Sequence, residues 1–209
     1  MINKKHLDKI RKAEPFFDKK VFDKIFTWQE LERILNLRPL MIDDRFNIAN
    51  RSKDEIYEWP VQSWMIDKNT FPPKLLHDIV KERVCHIADC SRFNKQLNDV
   101  CGIIEHATNW PTDAHIYFSK KINNEGYGKH KDKAHNLIVQ VEGKSNVKIW
   151  SKDDKIIIDE DMTSGDCVYI PAHIHHKILP LTPRLSVSFP MWLEKCPPPQ
   201  DRYWINLND

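Results

Sequence analysis

The sequence predicts a mainly β fold with helices on its flank, and three observations carry that reading. After Pro111 the chain breaks into short runs rich in β-branched and aromatic residues, HIYFS, HNLIVQVEG, NVKIW, KIIID, CVYIP and RLSVSF, separated by polar turn residues. Four of the five glycines (Gly126, Gly128, Gly143, Gly165) lie in that half, where closely turned strands need them. Before Pro111 apolar residues recur at helical spacing instead. Many short strands joined by polar turns fit a β-sandwich or barrel, with the preceding helices packed on its outer face.

Each helix has its own signal. Thr27-Trp28-Gln29-Glu30 matches a capping box, and Trp28, Leu31, Ile34 and Leu35 then form one stripe, so the spacing predicts a helix over 28–36, ended by Arg38-Pro39. A second is expected over Pro73–Arg83, with Leu75, Leu76, Ile79 and Val80 on one side. A third is expected over Ser91–Ala107, with Phe93, Leu97, Val100 and Ile104. These stripes read as packing surfaces. The charges of Lys4–Lys12 read as a solvated helix face, a basic tail whose removal should leave the site intact. The expected organisation is a single domain over 1–209: a helix-rich region over 1–110, a β core over 111–192 and a tail over 193–209 that contains Pro197-Pro198-Pro199.

Composition narrows the class. Apolar residues make up 41% and charged residues 30% of 209, with seven Trp and nine Phe, a mixture too aromatic for disorder. The 32 basic and 30 acidic residues are interspersed and leave a formal charge of only +2, so no one-signed field is available for a phosphate backbone, and nucleic acid is not implied. No apolar run approaches the roughly 18 residues that span a bilayer, and the polar start lacks the apolar core of a secretory signal. Five cysteines (Cys85, Cys90, Cys101, Cys167, Cys196) without CxxC spacing fit reduced thiols. A soluble, cytoplasmic protein without a membrane partner is expected.

Chemistry concentrates at two places. In His130-Lys131-Asp132, residues i and i+2 of a strand point to the same side. Two neutral imidazoles and one carboxylate on one face of an octahedron leave three positions open, the facial arrangement of non-haem Fe(II) oxygenases. The tripeptide alone says little, since His6-Leu7-Asp8 repeats it. Its surroundings say more: His130, Asp132, Asn136 and Gln140 would share one face of an extended chain, whereas Leu137, Val139 and Val141 would line the other. Later, Gly165-Asp166-Cys167-Val168-Tyr169-Ile170-Pro171-Ala172-His173-Ile174-His175-His176 forms a turn, a strand and a loop able to return a third ligand. His173, His175 and His176 are the candidates for that ligand. His115, His135 and Trp192 read as core or rim residues.

GYGKHKDKAHNLIVQVEG followed by GDCVYIPAHIHH resembles the two signature motifs of the cupins. It is more similar still to the JmjC-type 2-oxoglutarate oxygenases, among them the ribosomal-protein hydroxylases and the asparaginyl hydroxylase that inhibits the hypoxia factor. The likeness covers roughly Pro111 to Trp192. It implies a double-stranded β-helix (jelly roll), with His130 and Asp132 at the family's His-x-Asp and His176 at its distal histidine, binding Fe(II), 2-oxoglutarate and O2. Where four-ligand cupins carry a glutamate this chain has Asn136, which favours the three-ligand oxygenases. The basic residue that many relatives pair with the distal carboxylate of 2-oxoglutarate falls at Ser145, beside Lys144, whose side chain alternation turns away. Arg184, with Ser186 on the same face, matches an Arg-x-Ser used by other members and is the first choice for that role, Lys144 the second. Tyr127 sits where relatives place a hydroxyl that contacts the same carboxylate, and Tyr117 is a weaker candidate. The resemblance implies hydroxylation of a polypeptide side chain, and helices that serve relatives as a dimer face. Two other readings stay open: oxygenation of a small molecule or modified nucleoside, and a cupin-like metal-binding protein without turnover.

Overall fold

The computed structural model describes residues 2–35, 77–78, 80–81, 83–120, 122–123 and 126–193, together with the backbone of 46–52 and 55–60. Of the helix expected over 73–83 only His77, Asp78, Val80, Lys81 and Arg83 are described; Leu75, Leu76 and Ile79 lie outside the described residues, as do Arg38-Pro39, Cys196 and Pro197-Pro198-Pro199.

Eleven described strands form two antiparallel sheets. They are β1 (Phe16–Asp18), β2 (Phe46–Ser52), β3 (Glu55–Pro60), β4 (Val84–Ile87), β5 (His115–Ser119), β6 (His135–Glu142), β7 (Ser145–Trp150), β8 (Ile156–Met162), β9 (Cys167–Ile170), β10 (His176–Pro180) and β11 (Arg184–Met191). The larger sheet runs β1-β9-β6-β11-β5-β4-β2-β3 and the smaller β10-β7-β8. Their inner faces meet over Val147, Ile149, Met162, Val168 and Ile170, with Ile138, Ile158 and Ile178 partly buried against them. Two antiparallel sheets facing one another with neighbours far apart in sequence make the jelly roll. All six strands expected after Pro111 are present, β5 with its bounds unchanged. The helix-rich half, expected to hold a few strands among its helices, contributes β1 to β4.

The outer face of the larger sheet carries the main core. Leu137, Val139 and Val141 of β6 and Leu185, Val187 and Phe189 of β11 join Leu31, Ile34, Leu97 and Ile104 of the flanking helices in one buried cluster. Each such side chain stabilises the fold by roughly 1.5–3 kcal/mol. The helices are α1 (Lys4–Arg11), α2 (Trp28–Leu35) and α3 (Lys95–Thr108); none is long and apolar enough to cross a membrane. At α2 half of the expected capping box forms: Thr27 Oγ1 accepts from Glu30 N (3.2 Å), while the Glu30 carboxylate takes the Thr27 hydroxyl and Asn94 Nδ2. At α3 Asn94 caps Leu97 N (3.0 Å), after a single 3₁₀ turn at Ser91–Phe93.

Lys4, Lys5 and Arg11 on the helix and Lys12 at its C-cap are exposed as expected, but the segment is not a detachable tail. α1 is packed, with Ile10 fully buried and its carbonyl accepting from Tyr169 Oη, and His6 bonds Asn3 and Asp18 rather than pairing with Asp8. Removing 1–12 would uncover the main core.

On β6 the alternation holds. Leu137, Val139 and Val141 face the helices, Asn136 and Ile138 the interior. Between β6 and β11 the register shifts so that Val141 is the extra residue of a bulge, and Gln140 Nε2 fills the gap by donating to Glu142 O (2.6 Å) and Leu185 O (3.4 Å). Gln140 is thus part of the scaffold. Gly143 then turns the chain with φ +76°, and a Cβ there would overlap the Pro183 carbonyl, so this position requires glycine.

Candidate metal centre

His130 and Asp132 do not lie on a strand as expected. They stand in the segment before β6, where His130 makes an isolated two-residue bridge to His176, the first residue of β10. His130 N donates to His176 O (3.0 Å) and His176 N to His130 O (2.9 Å), so backbone bonds hold the two histidines opposite each other. The next link runs from His173 N to Asp132 O (2.8 Å). His173 itself takes φ +62°, which turns the loop and leaves its side chain exposed; His175 reaches toward Asp154 (4.0 Å). Of the three histidines in this loop only His176 joins the cluster.

The ligand atoms of His130, Asp132 and His176 lie within 4.8 Å of one another. Nε2 of His130 is 3.6 Å from Asp132 Oδ1, and Nε2 of His176 is 3.4 Å from Oδ2. In both rings Nδ1 stands 3.1 Å from a backbone carbonyl, Gly128 O for His130 and Ile174 O for His176. A carbonyl only accepts, so Nδ1 carries the proton and each Nε2 presents a lone pair inward. Burial, then the neighbouring His176, lowers the pKa of His130 despite Asp132, keeping the ring neutral. For Asp132 burial acts upward, but in the metal-free cluster the imidazoles of His176 and then His130, when protonated, outweigh it and lower its pKa below the ordinary value, so the carboxylate is ionised. Asn136 Nδ2 donates to Asp132 Oδ2 (2.7 Å) and Ser188 Oγ to Asn136 Oδ1 (3.0 Å), orienting the carboxylate from β6 and β11. Two imidazoles and a carboxylate suit a divalent transition metal, iron(II) among them.

These groups open into a cavity of about 460 Å³, a size suited to a small-molecule ligand. Arg184, Ser186 and Ser188 of β11 line it together, as does Asn136; Tyr117 and Tyr127 form an edge-to-face pair there, 6.1 Å between centroids. Arg184 is 5% exposed, and its Nε has no hydrogen-bond partner among the described residues. Burial pushes its pKa down to about 10, opposed by Tyr117 and Tyr127, so it is cationic at neutral pH. Ser145 is fully buried, while Lys144 is exposed and does not line the cavity. His115 is a cavity rim residue as expected, and His135 is held in the core between Tyr169 Oη (2.8 Å) and the Trp110 ring.

Sequence reasoning passed over His86, whose ring stacks on Tyr117 (4.5 Å) and meets His115 Nδ1 (3.2 Å), and Lys131 and Lys133 at the cavity mouth. The wholly buried tetrapeptide VCHI hides His86 among core residues. The lysines had a signal, their alternation with the histidine and aspartate in KHKDK.

Fold and cluster together define a double-stranded β-helix with a two-histidine, one-carboxylate centre. Among solved structures the chain is similar to the Escherichia coli ribosomal oxygenase YcfD, with 18% identity, TM-score 0.65, and 91% of this chain covered against 52% of that one. It is likewise similar to YcfD in complex with cobalt and 2-oxoglutarate (16%, TM-score 0.61, 90% against 50%) and with cobalt and succinic acid (17%, TM-score 0.62, 90% against 50%). The chain spans about half the length of these structures, and the likeness is one of fold. No protein-family model and no curated protein matches the sequence.

Proposed function

We propose that the chain is an Fe(II)- and 2-oxoglutarate-dependent oxygenase that hydroxylates a polypeptide side chain. The observation that supports it most is the sharing of one cavity by the His130, Asp132 and His176 donors and a buried, incompletely partnered Arg184. In this reading His130, Asp132 and His176 hold the metal, and Asn136 with Ser188 orients the carboxylate. Iron, when bound, supplies the activation of O2 that couples decarboxylation of 2-oxoglutarate to hydroxylation. Arg184 pairs with the distal carboxylate of 2-oxoglutarate, because a guanidinium offers two parallel donors in a fixed plane. Tyr127, Tyr117 and Ser186 add polar contacts beside it, and exposed Lys144 gives up that role. Ile138 and Ile178 line the same cavity and limit water around the reacting groups. YcfD, the ribosomal oxygenase of like fold, supports a polypeptide substrate. The four described cysteines are free and buried, which suits a reducing cytoplasm.

The test is succinate formation from 2-oxoglutarate with Fe(II) and O2, with and without candidate peptides. Succinate that requires all three supports the reading; stoichiometric metal binding without turnover across a broad peptide set would move the chain to the non-catalytic metal-binding class.

A further inference from the structure

We propose that the mouth of this cavity selects a peptide segment bearing carboxylate side chains, with Lys131 and Lys133 as the residues that read it; the inference rests on the cavity being the oxygenase site. Along Lys129-His130-Lys131-Asp132-Lys133 exposure alternates, the three lysines outward and the two ligands inward, so the segment that supplies the metal ligands also supplies a basic lip. Lys129 is engaged, with Nζ 2.5 Å from Asp154 Oδ1 and 4.5 Å from the centroid of Trp150. Lys131 and Lys133 line the cavity; no salt bridge within 4.0 Å holds either one among the described residues, although Lys131 lies near enough to Asp154 to help lower its pKa. An unpaired ammonium at a rim contributes selection and encounter rate more than raw affinity.

The charge inside makes that lip available. A divalent metal, the Asp132 carboxylate, a dianionic cosubstrate and the Arg184 guanidinium cancel formally, so the filled centre neither attracts nor repels. The two lysines are then the charge that an arriving substrate meets. Beside them Trp192, 46% exposed, lines the same mouth, with Leu193 next to it 45% exposed. An apolar ledge next to two cations fits an extended peptide with one or two carboxylates. It does not fit a phosphate backbone, which needs a longer basic track; Asp153 and Asp154 in the β7–β8 turn and Asp159, Glu160 and Asp161 on β8 break any such track on the smaller sheet.

The probes are fluorescein-labelled decapeptides alternating Ala with Glu, Gln or Lys, and a ten-nucleotide oligothymidylate. Each is titrated by anisotropy against protein loaded with Mn(II) and N-oxalylglycine at low salt. The Glu peptide should bind at least about tenfold tighter than the Gln peptide, with a preference that shrinks as salt rises. The double variant Lys131→Gln/Lys133→Gln should erase most of that preference, while Lys5→Gln on α1 leaves it. Equal binding of the three peptides, preference for the Lys peptide, or a Glu preference that survives in the double variant overturns the inference. So does tighter binding of the oligonucleotide than of the Glu peptide. A Mn(II) titration separates the two claims: protein that binds no Mn(II) yet keeps a lysine-dependent Glu preference sinks the oxygenase reading and leaves the lip's selectivity supported.

Discussion

Asp166 and Arg184 are both buried charged residues, 1% and 5% exposed, and the fold treats them oppositely. Asp166 is saturated: Oδ1 accepts from Lys20 N (3.0 Å), and Oδ2 from Thr163 N (2.7 Å) and Thr163 Oγ1 (2.8 Å), with Lys20 Nζ 3.8 Å away. Burial acts to raise its pKa, but the bonds from Thr163 and Lys20 outweigh that and lower it. Arg184 has no acceptor for Nε among the described residues and faces a cavity. A saturated buried charge closes a turn. One left with a free donor beside a cavity is held for something that arrives, and buried polar groups without partners are rare enough to mark such places.

The contrast sets the expected effects. The largest falls on the cluster itself: Asp132→Ala or His176→Ala should abolish stoichiometric Mn(II) binding in calorimetry while a cooperative thermal transition persists, since each removes a proposed metal ligand and leaves both apolar core clusters intact. If the His176 variant binds at full affinity, the third ligand is His175 or His173. Next, Arg184→Met should weaken 2-oxoglutarate binding by more than about thirtyfold, the lower range for leaving a buried carboxylate without its cation, without lowering the melting temperature, because a thioether replaces a cation that lacks a full set of partners. Lys144→Met should change binding by less than about twofold; the reverse order would exchange the two roles. The smallest functional effect belongs to Asp166→Asn, which should leave 2-oxoglutarate affinity unchanged and cost about 1.5–3 kcal/mol of stability, as for hydrogen bonds to a charged group. Its pH dependence has a definite sign. The folded pKa lies below the unfolded one, so the contribution is complete above the ordinary carboxylate range near pH 4 and fades as pH falls through the lower folded value. Denaturant melts should therefore show wild type and Asp166→Asn converging in acid.

Much of this was legible in the sequence because strand burial leaves a period of two. RLSVSF carries Arg184, Ser186 and Ser188 on one face and Leu185, Val187 and Phe189 on the other, and the structure separates them in that way. β10 escaped because HKILP mixes lysine and proline into a strand that is only partly buried at its centre. The α1 sequence KKHLDKIR has only two apolar residues, so its charges announce a solvated face while the buried side, His6 and Ile10, leaves no apolar stripe to read. His130 and Asp132 were reached through a rule for strands that does not describe them; a bridge to His176 and a bond from His173, neither visible in one sequence, put them together. The choice among His173, His175 and His176 depended on a left-handed residue inside the loop, where strand spacing no longer applies.

The most direct measurement is calorimetric titration of 2-oxoglutarate into the protein with and without Mn(II), repeated with Asp132→Ala. If the cluster and Arg184 form one site, 2-oxoglutarate binds one equivalent of Mn(II)-loaded protein, binds at least about tenfold more weakly without metal, and Asp132→Ala loses the difference. Equal affinity with and without Mn(II), or an Asp132→Ala protein that keeps metal-dependent binding, would contradict it.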